Sequence, residues 1–406
     1  MNDKLYDNGQ RRMFANLMRD AVRRTGDRRR MEYDAGDFEL FVTATPGTRI
    51  HLHNAYDEYR SAPAACRDEI LRRWAANWAS SSTWKELIDI DEARLKLLPM
   101  ICDRSSIEFE SLRARLSKGE PPRDVSRVIA PDLAMGLVYD QPETFRWIRQ
   151  ADLSSWGLGF NDAIGIATEN LRRRSASDFE RLGAGTYRSP WRDSYDASRL
   201  ILLDRIQNLD VRGRHVAIVP NRDTLLITGS DDASGLNLIV KEAIAALHAP
   251  RFMTGAAMTL SGEEWVPYLP ASDSPSRHDF KGLRDVTYRD AYAAQADLLR
   301  KLGGDAFVAK YMVGINKRTG EPLSVCIWTQ QSVPVLLPRT DRICFVDADL
   351  PIENGGLMAG GHWDDVVAVV GDLMHPQGLH PERYLVERNP SPEQMRALPQ
   401  CFDGFH

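Results

Sequence analysis

His215-Val-Ala-Ile-Val-Pro-Asn-Arg-Asp-Thr-Leu-Leu-Ile-Thr-Gly-Ser-Asp-Asp232 carries two apolar runs, His215–Val219 and Thr224–Thr228, around the turn Pro220-Asn-Arg-Asp223. Both runs are apolar throughout rather than alternating, which predicts strands covered on both faces. Asp231 or Asp232 then caps a helix with Leu236, Ile239, Val240, Ala243, Ile244 and Leu247 along one face. Two strands and a helix in close succession predict an α/β or α+β fold, with mixed sheets and hairpin-plus-helix units.

The same succession appears earlier in the chain. Phe38–Thr43 and Thr48–His53 flank Pro46-Gly47, a turn signal, and a helical pattern follows Asn54. Tyr56, Tyr59, Ile70, Trp74 and Trp78 form its apolar face, and Pro63 breaks it near the start. No residue-level self-similarity links 38–78 to 215–248, so a true repeat and a chance recurrence both stay open. Between them, 97–120 reads as a short apolar segment and a helix ended by Gly119-Glu-Pro-Pro122. Residues 133–139 read as a strand, and Ser154 or Ser155 opens a helix to about Arg173. The stretch Ser189–Arg199 leads into a helix with Leu200, Leu203 and Ile206 inward.

Residues 270–280 are dense in Pro, Ser and Asp and predict a linker. Beyond it the pattern predicts a helix near 287–302. Strands at 306–315, 323–329, 333–337 and 342–347 follow as an antiparallel meander, and then a helix over 363–373. The expected organisation is a basic amphipathic helix (1–34), an N-terminal α/β subdomain (35–180), a central ββα-containing subdomain (181–270) and a C-terminal meander subdomain (281–406).

The chain has 406 residues and a net charge of −5, which does not point to nucleic acid. Residues 1–30 are the exception, with nine basic side chains against four aspartates. They form either an anion-seeking arm or a solvated helix that buries Phe14, Leu17, Met18 and Val22. Nucleic-acid binding is expected only through that helix. Five cysteines, widely spaced with no CxxC pair, predict free thiols in a reducing cytoplasm. No secretory signal is seen, and no stretch approaches the ~18 apolar residues of a spanning helix.

Polar residues gather at the ends of the central elements. Asp193, Asp196, Asp223, Asp231 and Asp232 lie within forty residues of one another. Convergent carboxylates at a loop edge could hold Mg²⁺ or Mn²⁺ and activate water. Each also has a local role: Asp193 and Asp196 as N-cap and third helical residue, Asp223 in a type I turn with Asn221, and Asp231 or Asp232 as a second cap. Arg192, Arg199 and Arg222 flank them, to clamp an anionic ligand or to pair with those aspartates. His51 and His53 alternate on an expected strand but lack a third zinc ligand at conventional spacing, so no metal site is assigned. His375 and His380 lie beside prolines in an expected loop. Trp156, Trp191, Trp265, Trp328 and Trp363 are either core or a protein-binding face. There is no P-loop, no G-x-G-x-x-G after a strand and no G-x-S-x-G elbow, and no cofactor is assigned.

Several of these segments also resemble a known family. Ile50–Arg60, Ser189–Arg199, Val219–Asp232, Val325–Thr329 and Leu337–Arg342 are together similar to the bacterial YtpQ-like family of unknown function, over roughly residues 35–395. The resemblance implies a bacterial, cytosolic protein and brings no activity or catalytic residue with it. The missing catalytic signatures predict a non-catalytic binding or regulatory module, with another protein as a candidate partner. The alternatives are a metal-dependent hydrolase or nuclease on the Asp193/Asp223/Asp231 edge, and a toxin-neutralising or defence accessory protein.

Overall fold

The computed structural model describes residues 2–35, 38–43, 49–82, 89–117, 125–141, 145–246, 252–317, 319–350 and 356–399. It is an α+β fold with several sheets.

The His215–Asn221 and Thr224–Gly229 strands form the expected antiparallel hairpin, with Val216 opposite Thr228. They are the two middle strands of a six-stranded sheet that also contains Met258–Ser261, Glu264–Pro267, Thr186–Arg188 and Glu180–Gly183. Their side chains divide by parity, as strand geometry requires. Val216, Ile218 and Leu226 pack with Leu236, Ile239 and Val240 of the helix Ala233–Ala245. Ala217, Val219, Leu225 and Ile227 face a second apolar layer on the other side. Continuous apolarity therefore reflects covering on both faces.

That second layer contains the helix Phe160–Arg174 and a sheet of Leu97–Asp103, Leu133–Asp140, Arg127–Ala130 and Phe145–Trp147. One apolar cluster runs from Ala93 to Trp265 and so spans the expected boundary at 180/181. The strand Arg127–Ala130 lies at the end of its sheet, and Glu264–Pro267 at the end of the six-stranded one.

The basic helix, Asn2–Arg24, buries Phe14, Met18 and Val22 against Leu40, Tyr56 and Leu71 of the segment that follows. Its apolar stripe thus has a partner, while Arg12, Arg23 and Arg24 stay exposed. The next helix runs His53–Ser61, stops before Pro63 as expected, and resumes at Arg67–Ser82. Leu52, not Asn54, is its N-cap. The turn residues Pro46-Gly47 and Gly119–Pro122, with Leu247 and Cys401, lie outside the described residues.

Two C-terminal expectations are corrected. The segment 270–280 is not a free linker, because a 26-residue helix begins within it, Arg277–Leu302. Its Phe280 is buried in the same cluster as Val216 and Ile218, which fixes that end to the central sheet. The strands Met312–Ile315, Pro322–Thr329, Val335–Pro338 and Arg342–Val346 lie close to their expected positions, but they do not form an antiparallel meander. Pro322–Thr329 runs parallel to Arg342–Val346, because Val335–Pro338 between them leaves to pair with Arg383–Val386 in another sheet. Apolar periodicity marks strands but carries no strand direction. Arg383 ties the sheet of Val335–Pro338 to the long helix: fully buried, it donates to Gln295 Oε1 (2.6 Å), Ala309 O (2.9 Å) and Leu336 O (3.1 Å). Burial pulls its guanidinium down to about 10.

Candidate functional site

The Ser189–Arg199 stretch folds as a loop wrapped around its own acids. Arg199, 1% exposed, donates from Nη1 and Nη2 to the two oxygens of Asp193, each at 2.8 Å. Its Nε donates to Ser175 Oγ at 2.8 Å, and its guanidinium lies 4.0 Å from the Trp191 ring centre. Burial pushes the Asp193 carboxyl up, but the Arg199 pair outweighs this and holds it below the usual range. Asp196 is fully buried and accepts from the backbone N–H groups of Trp191 and Asp193, each at 3.2 Å. Burial raises its carboxyl. Arg192 and Ser194 have φ of +51° and +68°, a left-handed backbone that costs a non-glycine residue of order 1–3 kcal/mol. The bonds to Asp196 and the Arg199–Asp193 fork hold these residues in place.

Asp193 and Asp196 therefore do not form a capping box. Asp193 is a counter-ion, and Asp196 accepts from residues before it, because the segment after it is a 3₁₀ turn, Ala197–Ile201, rather than an α-helix. Beside them, Tyr195 Oη donates to Asp140 Oδ1 at 2.6 Å, and Arg174 pairs with Asp140 Oδ2 at 2.7 Å.

The hairpin turn packs on this loop: the Ala197 N–H donates to Arg222 O (3.0 Å) and the Arg222 guanidinium lies over the Phe145 ring. Asn221 Oδ1 accepts from the Asp223 N–H at 3.0 Å, and the turn falls one residue later than expected, since Asn221 ends its strand paired with Thr224. Asp231 and Asp232 are elsewhere. They follow the far end of Thr224–Gly229, whose six residues at ~3.3 Å each separate them from Asp223 by about 20 Å. Asp232 caps the helix Ala233–Ala245 by accepting from the Gly235 N–H (3.1 Å) and also binds Arg212 (3.1 Å). Asp231 accepts from Ser230 Oγ at 2.8 Å. Asp193, Asp196, Arg199, Asn221, Arg222 and Asp223 are thus gathered at one end of the hairpin, and Asp231 and Asp232 at the other. Among the described residues no three His, Cys, Asp or Glu side chains converge as a metal site would require.

His51 and His53 do not share a strand face. His51 ends the strand Arg49–His51 and pairs with Glu39 at 3.1 Å. His53 opens the helix, its ring set edge-on to Phe38. Trp265, Trp328 and Trp363 are core.

Two cavities adjoin the hairpin Met258–Pro267, and Pro131 lines both. The larger, about 610 Å³, lies between the sheet-end strand Arg127–Ala130, the helix Phe160–Arg174 and the hairpin tip. Its wall is mainly apolar, including Ile129, Met135, Ile164, Leu200 and Leu203, with Trp265 among them. Arg127, Thr168, Glu263 and Glu264 supply the polar groups. The smaller, about 270 Å³, contains Asp132, Arg284, Tyr288 and Tyr268 against Met258 and Phe280.

These polar residues come from segments some 150 positions apart, so no local spacing announces them. One signal was available: Arg284, Tyr288 and Tyr292 recur every four residues and give the long helix a polar-aromatic stripe. No family profile, curated protein or solved structure matches the chain.

Proposed function

We propose that the chain is a non-catalytic binding protein whose ligand site is the 610 Å³ cavity beneath Trp265. The carrying observation is its lining, an apolar wall with a few polar groups at a size typical of small-molecule sites. The ligand is a small, largely apolar molecule, its polar end set by Arg127 and the glutamate pair. The best acidic cluster supports the same reading, since Asp193 and Asp196 are engaged in holding their own loop. The test is thermal unfolding against neutral, drug-sized apolar compounds, with Thr168→Phe to fill the cavity from the helix side. A ligand at a hundredfold excess over Kd stabilises by roughly 2.7 kcal/mol. A compound that stabilises the native chain but not Thr168→Phe supports the site, and equal stabilisation of both rejects it.

A protein partner is the second reading. It is favoured by the sheet-end position of Arg127–Ala130 and by Val128, 56% exposed on it. The proposed kinship with the bacterial YtpQ-like family, and with it a cytoplasmic location, rests on the segments 50–60, 189–199, 219–232, 325–329 and 337–342 taken together. Of these, 189–199 and 219–232 hold the Arg199-centred loop and the hairpin turn packed on it. No described helix is long and apolar enough to cross a membrane.

A further inference from the structure

Independently of the larger cavity, we propose that the 270 Å³ cavity at Asp132, Arg284 and Tyr288 binds a compact zwitterion, a molecule with an ammonium and a carboxylate on the same carbon, as in an α-amino acid. Both signs of charge line one cavity, and each is held by only part of its bonding capacity. Asp132, 8% exposed, uses Oδ1 to accept from Tyr288 Oη at 2.8 Å, with His380 Nε2 at 3.5 Å from the same oxygen. Its Oδ2 accepts no hydrogen bond among the described residues. Arg284 donates through Nε and Nη2 to Asp285 Oδ1 (2.8 and 2.7 Å) and through Nη2 to Asp341 (3.1 Å). Its Nη1 makes no bond to the described residues.

The scaffold around these groups is built in advance. Asp341 accepts from the Ser324 N–H at 3.0 Å and lies 3.5 Å from Lys281 Nζ, so the Arg284 fork is fixed on both sides. Burial keeps the Tyr288 phenol protonated and donating. The formal charges of Lys281, Arg284, Asp285 and Asp341 cancel, leaving Asp132 with Tyr288 and His380 as its partners. A simple anion would gain little beside two aspartates, and a simple cation would meet Arg284. A zwitterion answers both, its ammonium on Asp132 Oδ2 and its carboxylate on Arg284 Nη1. Phe280 and Tyr268, edge-to-face at 6.1 Å, and Met258 leave an apolar wall for a small aliphatic substituent.

The experiment is isothermal titration of the full chain with alanine, serine, valine and leucine, each beside its N-acetyl and methyl-ester forms. The expected result is binding of at least one free amino acid, with both blocked forms at least tenfold weaker. Asp132→Asn, which keeps the oxygen that Tyr288 bonds, should weaken the free amino acid tenfold or more. Ala256→Leu, which leaves every charged group in place and fills the cavity, should abolish binding. No heat with any free amino acid overturns the proposal. So does a methyl ester or an N-acetyl form that binds as well as its parent, since either would mean one charge suffices. Binding unchanged in Ala256→Leu would place it elsewhere and overturn it as well.

Discussion

Replacing Arg199 with Met tests whether the sharpest acidic cluster is structural. The guanidinium is 1% exposed and the Asp193 side chain 29%, so this is a mostly buried fork with one face toward water. Removing one partner of a buried pair costs about 3–5 kcal/mol, and partial exposure of Asp193 places this case near the lower bound. Loss of the Trp191 stack at 4.0 Å adds roughly 1 kcal/mol, partly offset by the methionine side chain. Arg199→Met should therefore lose about 3–4 kcal/mol in urea unfolding read by circular dichroism. Asp193→Asn should cost somewhat less, and the double variant should fall short of the sum by at least ~1.5 kcal/mol, because the two residues serve one interaction. The deficit should also shrink in acid. Asp193 has a folded pKa below its unfolded one, so its contribution is present above the ordinary carboxylate range, near ~4, and is lost as pH falls through the folded value. A loss under ~1 kcal/mol, or additive single variants, would refute this account and free the cluster for a ligand.

Asp232→Ala should cost about 0.5–2 kcal/mol, measured by the same unfolding, because it removes the cap at the Gly235 N–H. Gly235→Ala, which helix propensity alone would make stabilising, should instead destabilise: its Cβ would overlap Thr228 Oγ1 and crowd Thr186 Oγ1. A gain in melting temperature would contradict the packing of this helix on its hairpin. Burial pushes the Asp341 carboxyl up, but Arg284 and Lys281 hold it below the usual range. Its stabilisation is thus lost as pH falls below ~4, and Asp341→Asn should flatten that part of the stability–pH curve; an unchanged slope would contradict the pairing.

The central hairpin and its covering helix were legible from residues 215–247 because apolar runs and helical period are local signals. The same holds for Pro63 as a helix breaker and for the positions of the C-terminal strands. What was not legible depends on distant partners. Nothing in Pro322–Thr329 or Arg342–Val346 announces that they run parallel. Phe280 gave no sign that it anchors the supposed linker to Val216 and Ile218. In the acidic set, Asp232 caps its helix as its position suggested. Asp193 and Asp196 do not, because a buried arginine six residues on and a 3₁₀ turn redirect them. Asp132 meets Arg284 and Tyr288 only through the fold, so beyond the four-residue recurrence on the long helix their cavity had no sequence signature.

The central claim, binding at the apolar cavity with the acids as scaffold, is tested most directly by one thermal-unfolding screen. Native chain, Thr168→Phe and Asp223→Ala would each be run against apolar compounds, Mg²⁺ and Mn²⁺. The account predicts an apolar compound that stabilises the native chain and Asp223→Ala but not Thr168→Phe. Stabilisation by a divalent ion that disappears in Asp223→Ala would contradict it and make the hairpin turn a metal site.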